Sequence, residues 1–90
     1  MKVKITKNFY KDVEKLDNIK IISAVEKIVL TIENVDSLHQ IYWVNVKKLK
    51  GYNKYYRVRI WNYRLWFELQ DNVVIFRRIL PRKDIYKFFP

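Results

Sequence analysis

The stretch Tyr55-Tyr56-Arg57-Val58-Arg59-Ile60-Trp61-Asn62-Tyr63-Arg64-Leu65-Trp66-Phe67-Glu68-Leu69-Gln70-Asp71-Asn72-Val73-Val74-Ile75-Phe76-Arg77-Arg78-Ile79-Leu80 decides the fold. β-Branched and aromatic residues dominate three runs, 55–60, 63–70 and 73–80, separated by the two-residue breaks Trp61-Asn62 and Asp71-Asn72. Runs of this composition are strands, and breaks of two residues containing Asn or Asp make tight hairpins, so the stretch predicts a three-stranded meander. A two-residue loop also sets the register. Ile60 then faces Tyr63, Val58 faces Leu65 and Tyr56 faces Phe67, giving one face that is wholly apolar or aromatic. Side chains alternate, so the other face pairs Arg59 with Arg64, Arg57 with Trp66 and Tyr55 with Glu68. Applied to Asp71-Asn72, the same rule places Arg77 opposite Trp66 on the arginine face. It leaves Arg78 on the apolar side beside Leu65, where it has to snorkel or meet an acid near the helices.

Like charges opposite one another in a sheet are destabilising, typically by some tenths of a kcal/mol per pair, and such a cost points to a use. Lysine would solubilise a strand equally well, yet these strands carry arginine. Arg57, Arg59, Arg64 and Arg77 therefore read as groups for planar, two-pronged contact with phosphate or carboxylate. Trp66 in their midst offers a flat ring to a base or a guanidinium, and packing beneath the C-terminal tail is the equal alternative for it.

Outward from the meander, Val3 and Ile5 alternate with Lys2, Lys4 and Thr6 as a short amphipathic strand. Asn8 is placed to cap a helix with Phe9, Val13 and Leu16 on one face. Asp17 or Asn18 then caps a second, stronger helix with Ile22, Val25, Ile28, Val29 and Ile32 on its apolar side. The segment 35–53 is irregular and long enough to be functional or to hold a short element, anchored by Leu38, Ile41, Trp43 and Leu49. Gly51, the only glycine, suits a turn with positive φ in Lys50-Gly51-Tyr52-Asn53. The tail 82–89 is short, a helical turn or an extended cap on the sheet.

Ninety residues, half of them hydrophobic, make one domain spanning 1–90. Nineteen Lys and Arg against nine Asp and Glu give a net charge of +10, which favours a partner bearing phosphates or an acidic protein. No apolar run is long enough for a membrane span and the first residues lack a signal peptide's apolar stretch, so the expected location is the cytoplasm. With no cysteine and a single histidine, no metal or cofactor is expected.

Four segments, Leu49-Lys50-Gly51, Tyr56-Arg57-Val58-Arg59-Ile60, Asn62-Tyr63-Arg64 and Arg82-Lys83-Asp84-Ile85-Tyr86-Lys87, resemble in their order the RelE/ParE toxin superfamily. The resemblance lies mostly in the C-terminal half. It implies an α+β domain of order β-α-α-β-β-β, with a helical hairpin on one face of a twisted, mainly antiparallel sheet and RNA on the other. It also implies a toxin of a type II toxin-antitoxin system that cuts messenger RNA at the ribosome, without metal, by attack of the 2′-hydroxyl on its own phosphate, and that a cognate antitoxin silences.

Carried over by position, Arg64, Arg82 and Tyr86 are the catalytic candidates, and Arg57, Arg59, Arg77, Trp66 and Lys83 the RNA-binding ones. Tyr86 is the proton-handling group, a role for which the usual tyrosine pKa of about 10 calls for nearby arginines. Many relatives carry Gly-Asp where this chain has Trp61-Asn62, and several carry His where it has Pro81. His39 lies in the loop, so proton transfer rests on Tyr86 and the arginines. Two alternatives share the fold: a ParE-like inhibitor of DNA gyrase, and a degenerate toxin that only binds antitoxin or RNA. Arg82 and Tyr86 together favour the ribonuclease.

Overall fold

Residues 1–41, 46–51 and 54–88 are described by a computed structural model. Strand β1 (Lys2–Ile5) leads into helix α1 (Lys7–Glu14), and α2 (Ile19–Glu33) follows. The cap of α1 is Thr6, two residues ahead of the Asn8 expected from sequence. The Thr6 hydroxyl accepts from the Phe9 N–H (3.2 Å) and donates to the Phe76 carbonyl (2.8 Å), so one side chain serves the helix and the sheet together. Asn8, already inside the helix, has no such double use. Thr6→Ala is expected to lower stability by about 1 to 2 kcal/mol and Thr6→Ser to recover most of it, read as the shift in urea midpoint. Asn18 caps α2 by accepting from Lys20 N–H at 2.9 Å. The buried stripe of α2 is Ile21, Val25, Ile28 and Ile32, so Ile21 takes the central position that the sequence spacing gave to Ile22.

After α2 a short 3-10 turn, Leu38–Gln40, and strand β2 (Val46–Lys48) occupy the segment read as irregular. Ile41 is buried there and Leu38 partly so; Trp43, Tyr52, Asn53 and Phe89 lie outside the described residues. Gly51 has φ of 85°, as its place in the turn requires. Strands β3 (Tyr55–Ile60), β4 (Tyr63–Gln70) and β5 (Val73–Pro81) form the meander, and helix α3 (Arg82–Phe88) closes the chain. The sheet order is β1-β5-β4-β3-β2, with β1 parallel to β5 and the other neighbours antiparallel.

The β3–β4 register is the one the two-residue loop dictates: Arg59 opposite Arg64, Arg57 opposite Trp66, Tyr55 opposite Glu68. Between β4 and β5 it holds as far as Phe67 opposite Phe76, and then a bulge intervenes and Trp66 faces Arg78. Arg77, expected opposite Trp66, is the extra residue. The reason is parity. Uninterrupted alternation would turn Arg78 into the core and Ile79 out of it; the inserted residue reverses this and buries Ile79 opposite Leu65. Arg78 reaches instead to Asp12 of α1, which sits almost fully buried.

Helices α1 and α2 cover one face of the sheet, where Phe9, Leu16 and Ile32 meet Val58, Phe67 and Phe76. On the opposite face, α3 packs against β5 and β4 and buries Ile85. No helix among the described residues is long and apolar enough to cross a membrane.

Candidate nucleic-acid interface

Alternation in β3 and β4 puts Arg57, Arg59 and Arg64 on the sheet face away from α1 and α2. What brings Arg82 and Tyr86 to them is the junction of β5 with α3. The Arg82 N–H donates to the Asn62 carbonyl at 2.8 Å, so the first turn of α3 is tied to the tip of the β3–β4 hairpin. Four residues on, Tyr86 lies on the same side of the helix as Arg82. The Arg57 Nη1 donates to the Tyr86 hydroxyl at 2.8 Å. Since the phenol oxygen accepts that bond, its own proton is left for a ligand. The Tyr86 ring stands edge-on to Trp66, with centroids 5.9 Å apart.

Arg64 is the pivot. It is only 7% exposed, and its Nη1 donates to the carbonyls of Trp61 (2.7 Å) and Tyr63 (2.8 Å). Burial, and then the charges of Arg59, Arg82 and Arg57, hold its guanidinium below its ordinary value, against an opposing pull from Tyr86. Three guanidinium groups and a phenol thus lie within electrostatic reach of Arg64. An open cleft of about 710 Å3 beside them is lined by Asn62, Pro81, Arg82, Lys83 and Tyr86. Such a cluster repels itself in isolation and is relieved by an anion, for which guanidinium forks and a phenol supply donors.

Two of the sequence candidates are placed differently. Trp66 is 2% exposed beneath α3, so its ring is interior and offers no open face to a base. Arg77 is bound to Glu68 through Nε at 2.8 Å and through Nη2, and is not among the charges acting on Arg64. Lys54 joins the same carboxylate at 3.2 Å. Burial pushes the Glu68 carboxyl up, but the hydrogen bonds from Arg77 and Lys54 outweigh it and hold the group below its usual value of 4.5. A carboxyl that binds its proton less tightly folded than unfolded stabilises the fold fully above that usual value. The contribution is lost as pH falls through the lowered one. The stability difference between wild type and Glu68→Gln is therefore expected to shrink on acidification from about pH 6 to pH 3; a constant difference would rule the linkage out.

Residues the sequence reading missed are Asp12, Lys54 and the hairpin carbonyls that engage Arg64. Asp12 left a signal: three residues after Phe9 and four before Leu16, it is an acid on the apolar face of its helix.

Fold and site together define a small α+β domain with a cationic, phenol-bearing face opposite its helical hairpin. The chain belongs to the RelE/ParE family of toxins of type II toxin-antitoxin systems: the family model for the ParE toxin of type II toxin-antitoxin system, parDE, matches residues 3–86. It is 40% identical over 90 residues to Toxin RelE3 of Methanocaldococcus jannaschii, covering 100% of both chains. Its structure matches the toxin-sized chain of the RelB-RelE antitoxin-toxin complex from Methanococcus jannaschii with a TM-score of 0.83 at 37% identity, over 97% of this chain and 99% of that one. The archaeal RelE-RelB complex from Pyrococcus horikoshii OT3 shares the fold, with a TM-score of 0.70 at 24% identity over 90% and 93% of the two chains.

Proposed function

We propose that this toxin is a metal-independent endoribonuclease that cuts messenger RNA on the ribosome and is held inactive by a cognate antitoxin. The observation that carries the reading is the convergence of Arg57, Arg59, Arg82 and the Tyr86 hydroxyl on Arg64. In this reaction the 2′-oxygen bonds to phosphorus, the bond to the 5′-oxygen breaks, and a proton passes from the first oxygen to the second. Negative charge grows on the phosphoryl oxygens, where preorganised guanidinium donors act most strongly. Arg64, fixed by two carbonyls, is the donor least free to reorganise, and Arg82 at the cleft mouth is the second. Arg57 and Arg59 bind the flanking backbone. Tyr86 protonates the departing 5′-oxygen, Arg57 stabilises the phenolate left behind, and the proton released to water by the 2′-hydroxyl is made good when the phenolate takes one back from water. Lys83 in the cleft wall adds a further phosphate contact.

The complexes of related RelE chains with RelB support an antitoxin partner, and +10 favours an acidic or amphipathic one. Incubating the pure toxin with translating ribosomes and mapping messenger 5′ ends tests the activity. New ends within the reading frame are expected. Intact messages alongside an inhibited supercoiling reaction would replace the ribonuclease with gyrase poisoning, and intact messages without it would leave a binding protein.

A further inference from the structure

At the tip of the β3–β4 hairpin, Trp61 is 62% exposed and has φ of 50°. The two features conflict with ordinary economy. The first loop position of a tight hairpin with positive φ favours glycine, and a bulky side chain there is strained. An indole left mostly in water gains little from burial to offset that strain. The surroundings hold the residue in place all the same. The Trp61 carbonyl accepts from Arg64 Nη1 at 2.7 Å, and the next carbonyl, that of Asn62, accepts from the Arg82 N–H at 2.8 Å. Asn62 also lines the cleft with Arg82, Lys83 and Tyr86. The exposed ring is thus carried on the very backbone that fixes two arginines of the cluster.

We propose that Trp61 is a stacking platform for an unpaired RNA base next to the phosphate held by the arginine cluster. The inference rests on the ribonuclease reading and deepens it by naming what positions the strand. A flat aromatic face on a hairpin that also carries guanidinium groups matches single-stranded RNA, in which bases and phosphates alternate at close spacing, and it requires no particular base. It also supplies the exposed aromatic surface that the buried Trp66 does not. Because the ring and Arg64 share one hairpin, a stacked base and its neighbouring phosphate would be held in fixed relation, which is the orientation an in-line attack needs.

The test compares wild type with Trp61→Gly, Trp61→Phe and Arg59→Ala, using an end-labelled single-stranded RNA made uncleavable by 2′-deoxy substitution. Trp61→Gly removes the ring and relieves the positive-φ strain, so it is expected to melt no lower than wild type. It is expected to bind the RNA about tenfold more weakly, and Trp61→Phe to stay within about threefold of wild type. Tryptophan emission should be quenched by RNA in wild type, and most of that quenching lost in Trp61→Phe. If Trp61→Gly binds the RNA as wild type does while Arg59→Ala weakens it, the platform is overturned and the ribonuclease reading stands. If wild type itself neither binds the RNA nor cuts messages on ribosomes, both fall. Loss of affinity in Trp61→Gly for a co-expressed antitoxin but not for RNA would also overturn the proposal, assigning the ring to a protein interface.

Discussion

Asp12→Ala is expected to lower the free energy of unfolding by about 3 to 5 kcal/mol, a large part of the 5 to 15 kcal/mol typical of a domain. The carboxylate accepts from Arg78 Nε at 2.8 Å, from Arg78 Nη2 at 3.0 Å and from the Ile79 N–H at 3.1 Å. Beyond Phe76, β5 has no strand on its β1 side among the described residues, because the β1 pairing ends at Ile5 opposite Phe76. Asp12 takes the place of a neighbouring strand for that edge while neutralising Arg78, which reaches it from the face shared with Trp66. Alanine would strand a guanidinium in a mostly buried position and leave a buried N–H without its acceptor. Replacing both Asp12 and Arg78 with leucine should recover part of the loss by removing both charges, but not all of it, since the Ile79 N–H stays unpaired. Thermal melts and urea titrations of the three variants would check this; a loss under about 1 kcal/mol in Asp12→Ala would contradict it.

The second large effect concerns cleavage. Arg64→Ala is expected to reduce message cleavage by about 100-fold or more, the magnitude seen when one preorganised donor to a developing oxyanion is removed. Arg64→Lys is expected to recover little, because the guanidinium holds both carbonyls through Nη1 and keeps its other nitrogens for a phosphate, whereas an ammonium has one nitrogen for both tasks. The same substitutions loosen the hairpin tip, so binding of uncleavable RNA should be measured alongside. A rate loss much greater than the binding loss identifies stabilisation of the transition state, and equal losses identify a strand-binding role.

Much of the scaffold could be read in advance because short loops leave little freedom. Two-residue breaks determine which residues face each other, and the arginine face followed from alternation alone. The β5 bulge was not legible, because its cause is non-local. It depends on whether burying Ile79 and pairing Arg78 with an acid on α1, 66 residues away in sequence, outweighs an unbroken ladder. β2 escaped notice because three residues, Val46, Lys47 and Lys48, carry almost no periodicity. For Trp66 the sequence left two readings, and the choice turned on where a seven-residue helix lies. Once α3 lies across β4 and β5, that part of the sheet is covered on both sides and a large ring there becomes interior. Within the site, residue types were readable and their commitments were not. Nothing in the sequence says that Arg77 is engaged by Glu68, or that Arg64 is anchored to its own turn.

The parallel pairing of β1 with β5 has a consequence for how the toxin is made. The strand formed first in synthesis finds its partner only when the last strand has been delivered, so the sheet depends on contacts of nearly the greatest sequence separation the chain allows. Domains built on such contacts fold slowly relative to their size, since a long loop must close before the pairing yields anything. Arg82 and Tyr86 lie beyond even that point, next to the closing strand. A chain in which β5 has not yet paired with β1 therefore has neither a closed sheet nor, with α3 undocked, a complete arginine cluster. Closure of the sheet and assembly of the arginine cluster are thus one late event in folding.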